Sequence, residues 1–135
     1  EGFEVLSVTQ YLLRYQNMFP KIKIREKVHV HDSCRFQRLS PQGIAARDVA
    51  SIFSELSDVP PNQPSSCCSQ WNHSSDVGNI IRQTNYLAAV KNSAPILACN
   101  CLTCYEEFKK VHTDIEVIDI LQLFVEALDA RQVSE

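Results

Sequence analysis

The chain has 135 residues, 44% of them hydrophobic and 21% charged, which is typical of one globular domain and excludes a disordered or fibrous chain. A net charge of −3 excludes the basic face that nucleic-acid binding requires. No run approaches the roughly 20 apolar residues of a membrane-spanning helix, so we expect a soluble protein of the cytoplasm or an organelle matrix, with membrane association only peripheral and through partners.

Six cysteines are too few for a disulfide scaffold, and the N-terminal segment has no basic stretch followed by an apolar run, so nothing indicates secretion. A chain of this length buries about two-thirds of its unfolded surface and needs no disulfide to build a core. We therefore expect one domain over residues 1–135, in which most of the cysteines have a chemical role.

The first half of the chain predicts two helices, one strand and a long loop. Residues 7–10 form a capping box that opens a helix ended by Pro20. Alternation of charged and apolar residues predicts a strand within 21–30, and apolar spacing predicts a helix over 43–58. Residues 59–75 then predict a functional loop, because structureless segments of this length are uncommon in small domains.

The second half alternates helices and strands more regularly. We predict a helix over 76–92, a buried strand over 95–98, a helix from about Tyr105, a strand over 115–118 and a final helix capped by Asp119. This order predicts an α/β fold with a small, mostly parallel sheet flanked by helices. Cysteines follow the strand at 95–98 directly, so we expect a metal site at the carboxyl ends of the strands.

The cysteine spacing is regular: Cys34, then 32 residues, then Cys67-Cys68, then 32 residues, then Cys101-x-x-Cys104. Thiolates are soft ligands that favour zinc, copper(I) and iron–sulfur clusters. Side chains of adjacent residues point in different directions, so Cys67 and Cys68 are better able to bind separate irons of a cluster than a single metal ion. Five thiolates also exceed the four of a closed zinc site. The spacing therefore favours an iron–sulfur cluster over a single metal ion.

Other candidate residues lie close to these cysteines or carry no motif. We expect Cys99, on the buried strand, to be an inert core residue. His31 either donates a hydrogen bond or a proton to a cluster, or stabilises the corner together with Asp32. We expect His29 and His112 to lie on the surface.

Four segments resemble the cysteine-rich CCG domain of the heterodisulfide reductase type, and together they span nearly the whole chain. They are the strand that ends in His-Asp-Ser-Cys at 28–34, the Cys-Cys-Ser of 67–69, the apolar strand ending in Cys-x-x-Cys at 96–104, and the strand and helix of 115–123. The same domain type occurs in archaeal-type succinate dehydrogenase subunits and in glycolate and lactate oxidation proteins.

This resemblance implies an electron-transfer domain that holds a noncubane [4Fe–4S] cluster, or zinc as in some members. The implied partners are flavin or iron–sulfur subunits of a redox complex. His31 and Ser69 would lie beside the ligands. The ligands implied by position are Cys34, Cys67, Cys68, Cys101 and Cys104.

Three functions follow as hypotheses. The first is an iron–sulfur electron-transfer domain or subunit of an oxidoreductase, rather than a complete enzyme. The second is a non-redox interaction module of a respiratory complex with zinc or no metal, which is supported by Ser69 where the family has glycine. The third is metal-free thiol–disulfide exchange through Cys67-Cys68 or through Cys101 and Cys104.

Overall fold

The computed structural model describes residues 2–33, 40–57, 76–111 and 114–134. Several sequence predictions concern residues outside these ranges and stay predictions; they are those for the loop 59–75 and for Cys34, Cys67, Cys68, Ser69 and His112.

A parallel sheet of four strands forms the centre of the described part of the chain. Its strands are β1 (Arg25–His31), β2 (Ser54–Leu56), β3 (Ile96–Cys99) and β4 (Glu116–Asp119). They lie in the order β2-β1-β3-β4, and each neighbouring pair is parallel. The predicted α/β fold with a small parallel sheet between helices is confirmed.

Helices connect and cover the strands. They are α1 (Val8–Arg14), α2 (Pro41–Phe53), α3 (Asp76–Lys91), α4 (Leu102–Lys109) and α5 (Ile120–Ser134), with a short 3₁₀ turn at Gln16–Met18. The predicted capping box is confirmed: the Ser7 backbone N–H donates to Gln10 Oε1 at 2.9 Å, and the Gln10 N–H donates to Ser7 Oγ at 3.3 Å. None of the described helices has the length and apolar content needed to cross a membrane.

Side-chain alternation along the strands builds a core on each face of the sheet. One face packs residues such as Val30 and Ala98 against α1, α2 and α5. The opposite face packs Leu97 and Cys99 against Leu87 of α3 and other apolar residues of α3 and α4. Both faces of the central strands are therefore covered, as expected for a parallel sheet.

Several elements differ from the sequence predictions. The first helix, predicted to be ended by Pro20, ends at Arg14 and is followed by the 3₁₀ turn. The helix predicted to reach residue 58 ends at Phe53, and Ser54–Leu56 form β2, a strand too short to interrupt the apolar spacing. In α3 the spacing of Val77, Ile80 and Ile81 is typical of an inward face, but all three side chains are exposed. Helix α4 begins at Leu102 rather than near Tyr105, which changes the environment of the Cys-x-x-Cys motif.

We predict that Leu97→Ala lowers the free energy of unfolding by about 2–5 kcal/mol, because Leu97 is fully buried at the centre of β3 and its truncation leaves a cavity. Ile81→Ala is the matched control, since this side chain is half exposed and its truncation should cost less than about 1 kcal/mol. Urea denaturation of both variants measures the difference. Equal losses would contradict the assigned packing of β3.

Candidate functional site

The carboxyl ends of β1 and β3 lie side by side at one end of the sheet, which we call the carboxyl edge. The strands pair in register from Val28 opposite Ile96 to His31 opposite Cys99. The chain leaves β1 towards α2 on one face and leaves β3 towards α4 on the other. Such a reversal opens a crevice at the strand ends, where α/β proteins place their binding sites.

Two of the five predicted ligands are described, and both lie at this edge. Cys101 is the N-cap residue of α4 and is half-buried. Cys104 lies in the first turn of the helix and is only 2% exposed. The opening turn of a helix stabilises negative charge through its backbone N–H groups and its dipole, so the position suits thiolates.

The remaining predicted ligands are not brought together by what the structure describes. Cys34 follows the buried Ser33 directly in sequence, but it lies outside the described residues, as do Cys67 and Cys68. Among the described residues, no group of three or more His, Cys, Asp and Glu side chains could hold a metal ion. The predicted metal site at the carboxyl edge is therefore not shown.

A buried polar cluster lies next to these cysteines on the α3 and α4 face. His31 Nδ1 lies 2.9 Å from Tyr86 Oη, which also lies 3.4 Å from His29 Nε2. The His29 Nδ1 atom lies 3.4 Å from Ser57 Oγ. The His31 ring packs edge-on against Phe108 at 4.8 Å between centroids. The end of β1 is thus joined to α3 by hydrogen bonds and to α4 by ring packing.

His31 is 1% exposed, and its Nε2 atom has no hydrogen-bond partner within the part of the chain described here. Burial lowers the pKa of His31 to about 3, with smaller contributions from the neighbouring His29 and Arg47. Burial and then the nearby Cys99 and Asp32 raise the pKa of Tyr86. At neutral pH both side chains are therefore uncharged, and Tyr86 keeps its hydroxyl proton.

An ion pair fixes the corner that follows β1. Arg47 of α2 donates to both carboxylate oxygens of Asp32, at 3.2 and 2.5 Å, and one of its Nη atoms lies 3.4 Å from the Val30 carbonyl oxygen. Both side chains are largely buried. Bidentate Arg–carboxylate pairs hold a defined geometry, so this pair orients the segment that leads to Cys34.

Several predictions for single residues can now be compared with the structure. Cys99 is fully buried in the core, as predicted, and Cys99, Cys101 and Cys104 form no disulfide. The prediction of a surface position is wrong for His29, which is 6% exposed because α3 covers it through Tyr86. Tyr86 and Arg47 were missed, since neither carries a motif and only the fold brings them to this edge.

A small depression of about 200 Å³ opens at the same edge on the other face of the sheet. Its lining includes Asn100 after β3 and Asp119 at the end of β4, together with the first residues of α1 and α5. Asp119 Oδ1 accepts a 2.8 Å hydrogen bond from the Leu121 N–H, which supports its predicted capping role. None of the described thiols lines this depression.

Comparison with known proteins adds no assignment: no family model, no curated protein and no solved structure matches the chain.

We predict that His31 makes the protein sensitive to mild acid. Its pKa is about 3 in the folded protein and about 6.5 when unfolded, so between these values the unfolded chain binds more protons. The free energy of unfolding should fall as the pH drops from about 6.5 towards 3, by up to roughly 4 kcal/mol from this residue. Denaturation at several pH values should show a shallower slope for His31→Gln, and equal slopes would contradict the prediction.

Proposed function

We propose that this chain is an electron-transfer domain that binds an iron–sulfur cluster at the carboxyl edge of β1 and β3, as part of a larger redox complex. One observation carries the proposal. The in-register pairing of His31 with Cys99 aligns the two strand ends from which the segments leading to Cys34 and to the Cys101–Cys104 pair depart. This alignment supports a site to which both Cys34 and the Cys101–Cys104 pair contribute.

The chemistry of the donors fits such a group. Thiolate sulfur is the ligand of iron–sulfur clusters, and Cys101 and Cys104 stand at a helix start that favours negative charge. A buried nitrogen without a partner among the described residues, His31 Nε2, lies at the same edge. Buried polar atoms of this kind are uncommon in native proteins and accompany a function or an absent ligand. The same thiolates would also suit zinc, which is the alternative occupant.

A bound cluster would supply a centre that accepts and releases single electrons. The ligands proposed for it are Cys34, Cys67, Cys68, Cys101 and Cys104. The described part of the chain would contribute the buried ring of Phe108, one helical turn after Cys104, and the ion pair of Arg47 with Asp32 that fixes the corner before Cys34. A low local dielectric strengthens the interactions of the site with its charge.

The exposure of the site suits electron exchange with a partner protein. Cys101 is half-buried, and the neighbouring Leu102 is 62% exposed. A donor or acceptor protein could therefore approach the start of α4 closely. We propose flavin or iron–sulfur subunits as these partners.

A second candidate function is supported by the start of α4. With Cys101 as N-cap and Cys104 in the first turn, the motif has the accessible and the buried thiol expected for metal-free thiol–disulfide exchange. The Cys101 thiolate would attack a substrate disulfide and release one thiolate. Cys104 would then attack the Cys101 sulfur, closing a disulfide and releasing the second thiolate, so that the substrate is reduced by two electrons.

We predict that the protein purified without oxygen contains iron and acid-labile sulfide, and that Cys101→Ser loses most of both because a ligand is removed. Cys99→Ala is the matched control: it changes a buried cysteine of the same strand end that is not a proposed ligand, and it should keep the metal. Elemental analysis and sulfide determination give the result.

The alternatives give different outcomes in the same experiment. A colourless protein with stoichiometric zinc would contradict the electron-transfer proposal. A metal-free protein that forms a Cys101–Cys104 disulfide on mild oxidation, detected by mass spectrometry, would favour thiol–disulfide exchange instead. An unchanged metal content in Cys101→Ser would show that the proposed ligand set is wrong.

A further inference from the structure

We propose that His31 donates a hydrogen bond from Nε2–H to a sulfur atom of the group bound at the cysteine site, and that Tyr86 holds His31 in the tautomer that can do so. This inference rests on the proposed function, because it needs a group with sulfur atoms at the carboxyl edge. It assigns His31 and Tyr86 a role in positioning and tuning that group, beyond the proposed cysteine ligands.

The first step is the position of His31. It is the last residue of β1, and its partner across the sheet is Cys99, two residues before Cys101. Its ring contacts Phe108, which lies one helical turn after Cys104 on the same face of α4. His31 is therefore situated on the side of the sheet where Cys104 is buried, beside the ends of both strands.

The second step concerns the two ring nitrogens of His31. Nδ1 has a short contact with Tyr86 Oη at 2.9 Å, whereas Nε2 is buried with no partner in the described part of the chain. Leaving a buried polar atom unsatisfied costs about 1–3 kcal/mol, so such an atom is expected to meet a partner in the functional state.

The contacts of Tyr86 bear on the tautomer of His31. A tyrosine hydroxyl donates a single proton, and Tyr86 Oη lies nearer to His31 Nδ1 than to His29 Nε2, at 2.9 against 3.4 Å. If Tyr86 donates to His31 Nδ1, its oxygen can accept from His29 Nε2–H, and Ser57 can donate to His29 Nδ1. This arrangement satisfies every link and leaves the proton of His31 on Nε2. The reverse arrangement satisfies the same links but leaves Nε2 without a proton, and we infer the first because only a protonated Nε2 can donate to sulfur.

His31 acts here as a hydrogen-bond donor to the bound group and not as a ligand of its metal. A histidine that binds the metal through Nε2 must converge on it with Cys101 and Cys104 and must carry no proton on that atom, whereas the arrangement inferred above leaves the proton of His31 on Nε2. A hydrogen bond to sulfur reaches further than a metal–nitrogen bond and requires no such convergence. With five thiolates proposed as ligands, the bound group needs no further ligand from His31.

The fifth step concerns the kind of acceptor. A buried water needs two to four polar partners, and two aromatic rings, those of Phe108 and Tyr86, pack against the His31 ring. A thiolate or sulfide sulfur can accept one N–H bond in an apolar setting, and such bonds adjust the potential of iron–sulfur sites. Because the reduced group carries more negative charge, the donor should stabilise it and raise the reduction potential.

The experiment compares the midpoint potential of the reconstituted protein with those of His31→Leu, His31→Gln and Tyr86→Phe. His31→Leu removes the donor and should lower the potential while iron and sulfide contents stay at the wild-type level. The amide of glutamine offers an N–H in a similar place, so His31→Gln should restore most of the shift. Tyr86→Phe, which deletes only the hydroxyl that fixes the tautomer, should give an intermediate shift. Ile81→Ala, which truncates a half-exposed side chain of α3, is the control and should leave the potential unchanged.

A second measurement needs no substitution and covers the case in which the His31 variants fail to fold. Nitrogen-15 NMR of the histidine rings in the zinc-loaded, diamagnetic wild-type protein should show His31 with its proton on Nε2. A proton on Nδ1 with Nε2 bound to zinc would overturn the inference.

The outcomes separate this inference from the proposed function. Normal iron and sulfide contents with equal potentials in wild type and His31→Leu would overturn the inference alone. A wild-type protein that assembles no cluster would overturn the proposed function and, with it, the role assigned to His31.

Discussion

The pairing of β1 with β3 is the constraint on which the rest of the structure depends. The two strands are far apart in sequence, yet they lie in register from Val28 opposite Ile96 to His31 opposite Cys99. Helices cover both faces of this pair, and the chain leaves its two carboxyl ends towards opposite faces. Core and candidate site thus have a common origin, because the contacts that bury the strands also align the two strand ends, one just before Cys34 in the sequence and one just before Cys101.

The buried polar cluster beside this pair has the character of a site rather than of a core. A sheet face packed only for stability would carry apolar residues at the end of β1, but it carries two histidines joined through Tyr86. Burial keeps His31 neutral with a pKa of about 3, and its Nε2 has no partner among the described residues. Such an arrangement costs stability, and we interpret it as preparation for a bound group at the carboxyl edge.

Sequence patterns predicted the elements that have strong periodicity or clear caps. The capping box at Ser7, the strand before Cys101 and the alternation of strands with helices were sufficient to predict the α/β class. The metal site at the carboxyl ends of the strands stays a prediction. The order of the strands could not be predicted from the sequence, because β2 has only three residues and continues the apolar spacing of α2. The burial of His29 and the contacts of Tyr86 depend on how α3 crosses the sheet, and no local pattern encodes that path.

The central claim is that the bound group lies at the carboxyl edge of β1 and β3. The most direct test is an amide NMR spectrum of the protein before and after anaerobic reconstitution with iron and sulfide, since a paramagnetic cluster broadens nearby signals. We expect signals around His31 and over Cys99–Cys104 to be lost. Signals at the amino ends of the strands, from Arg25, Ile96 and Glu116, should persist. Broadening of signals at the amino ends of the strands would contradict the account. So would the absence of broadening near Cys101 in a protein that retains its iron.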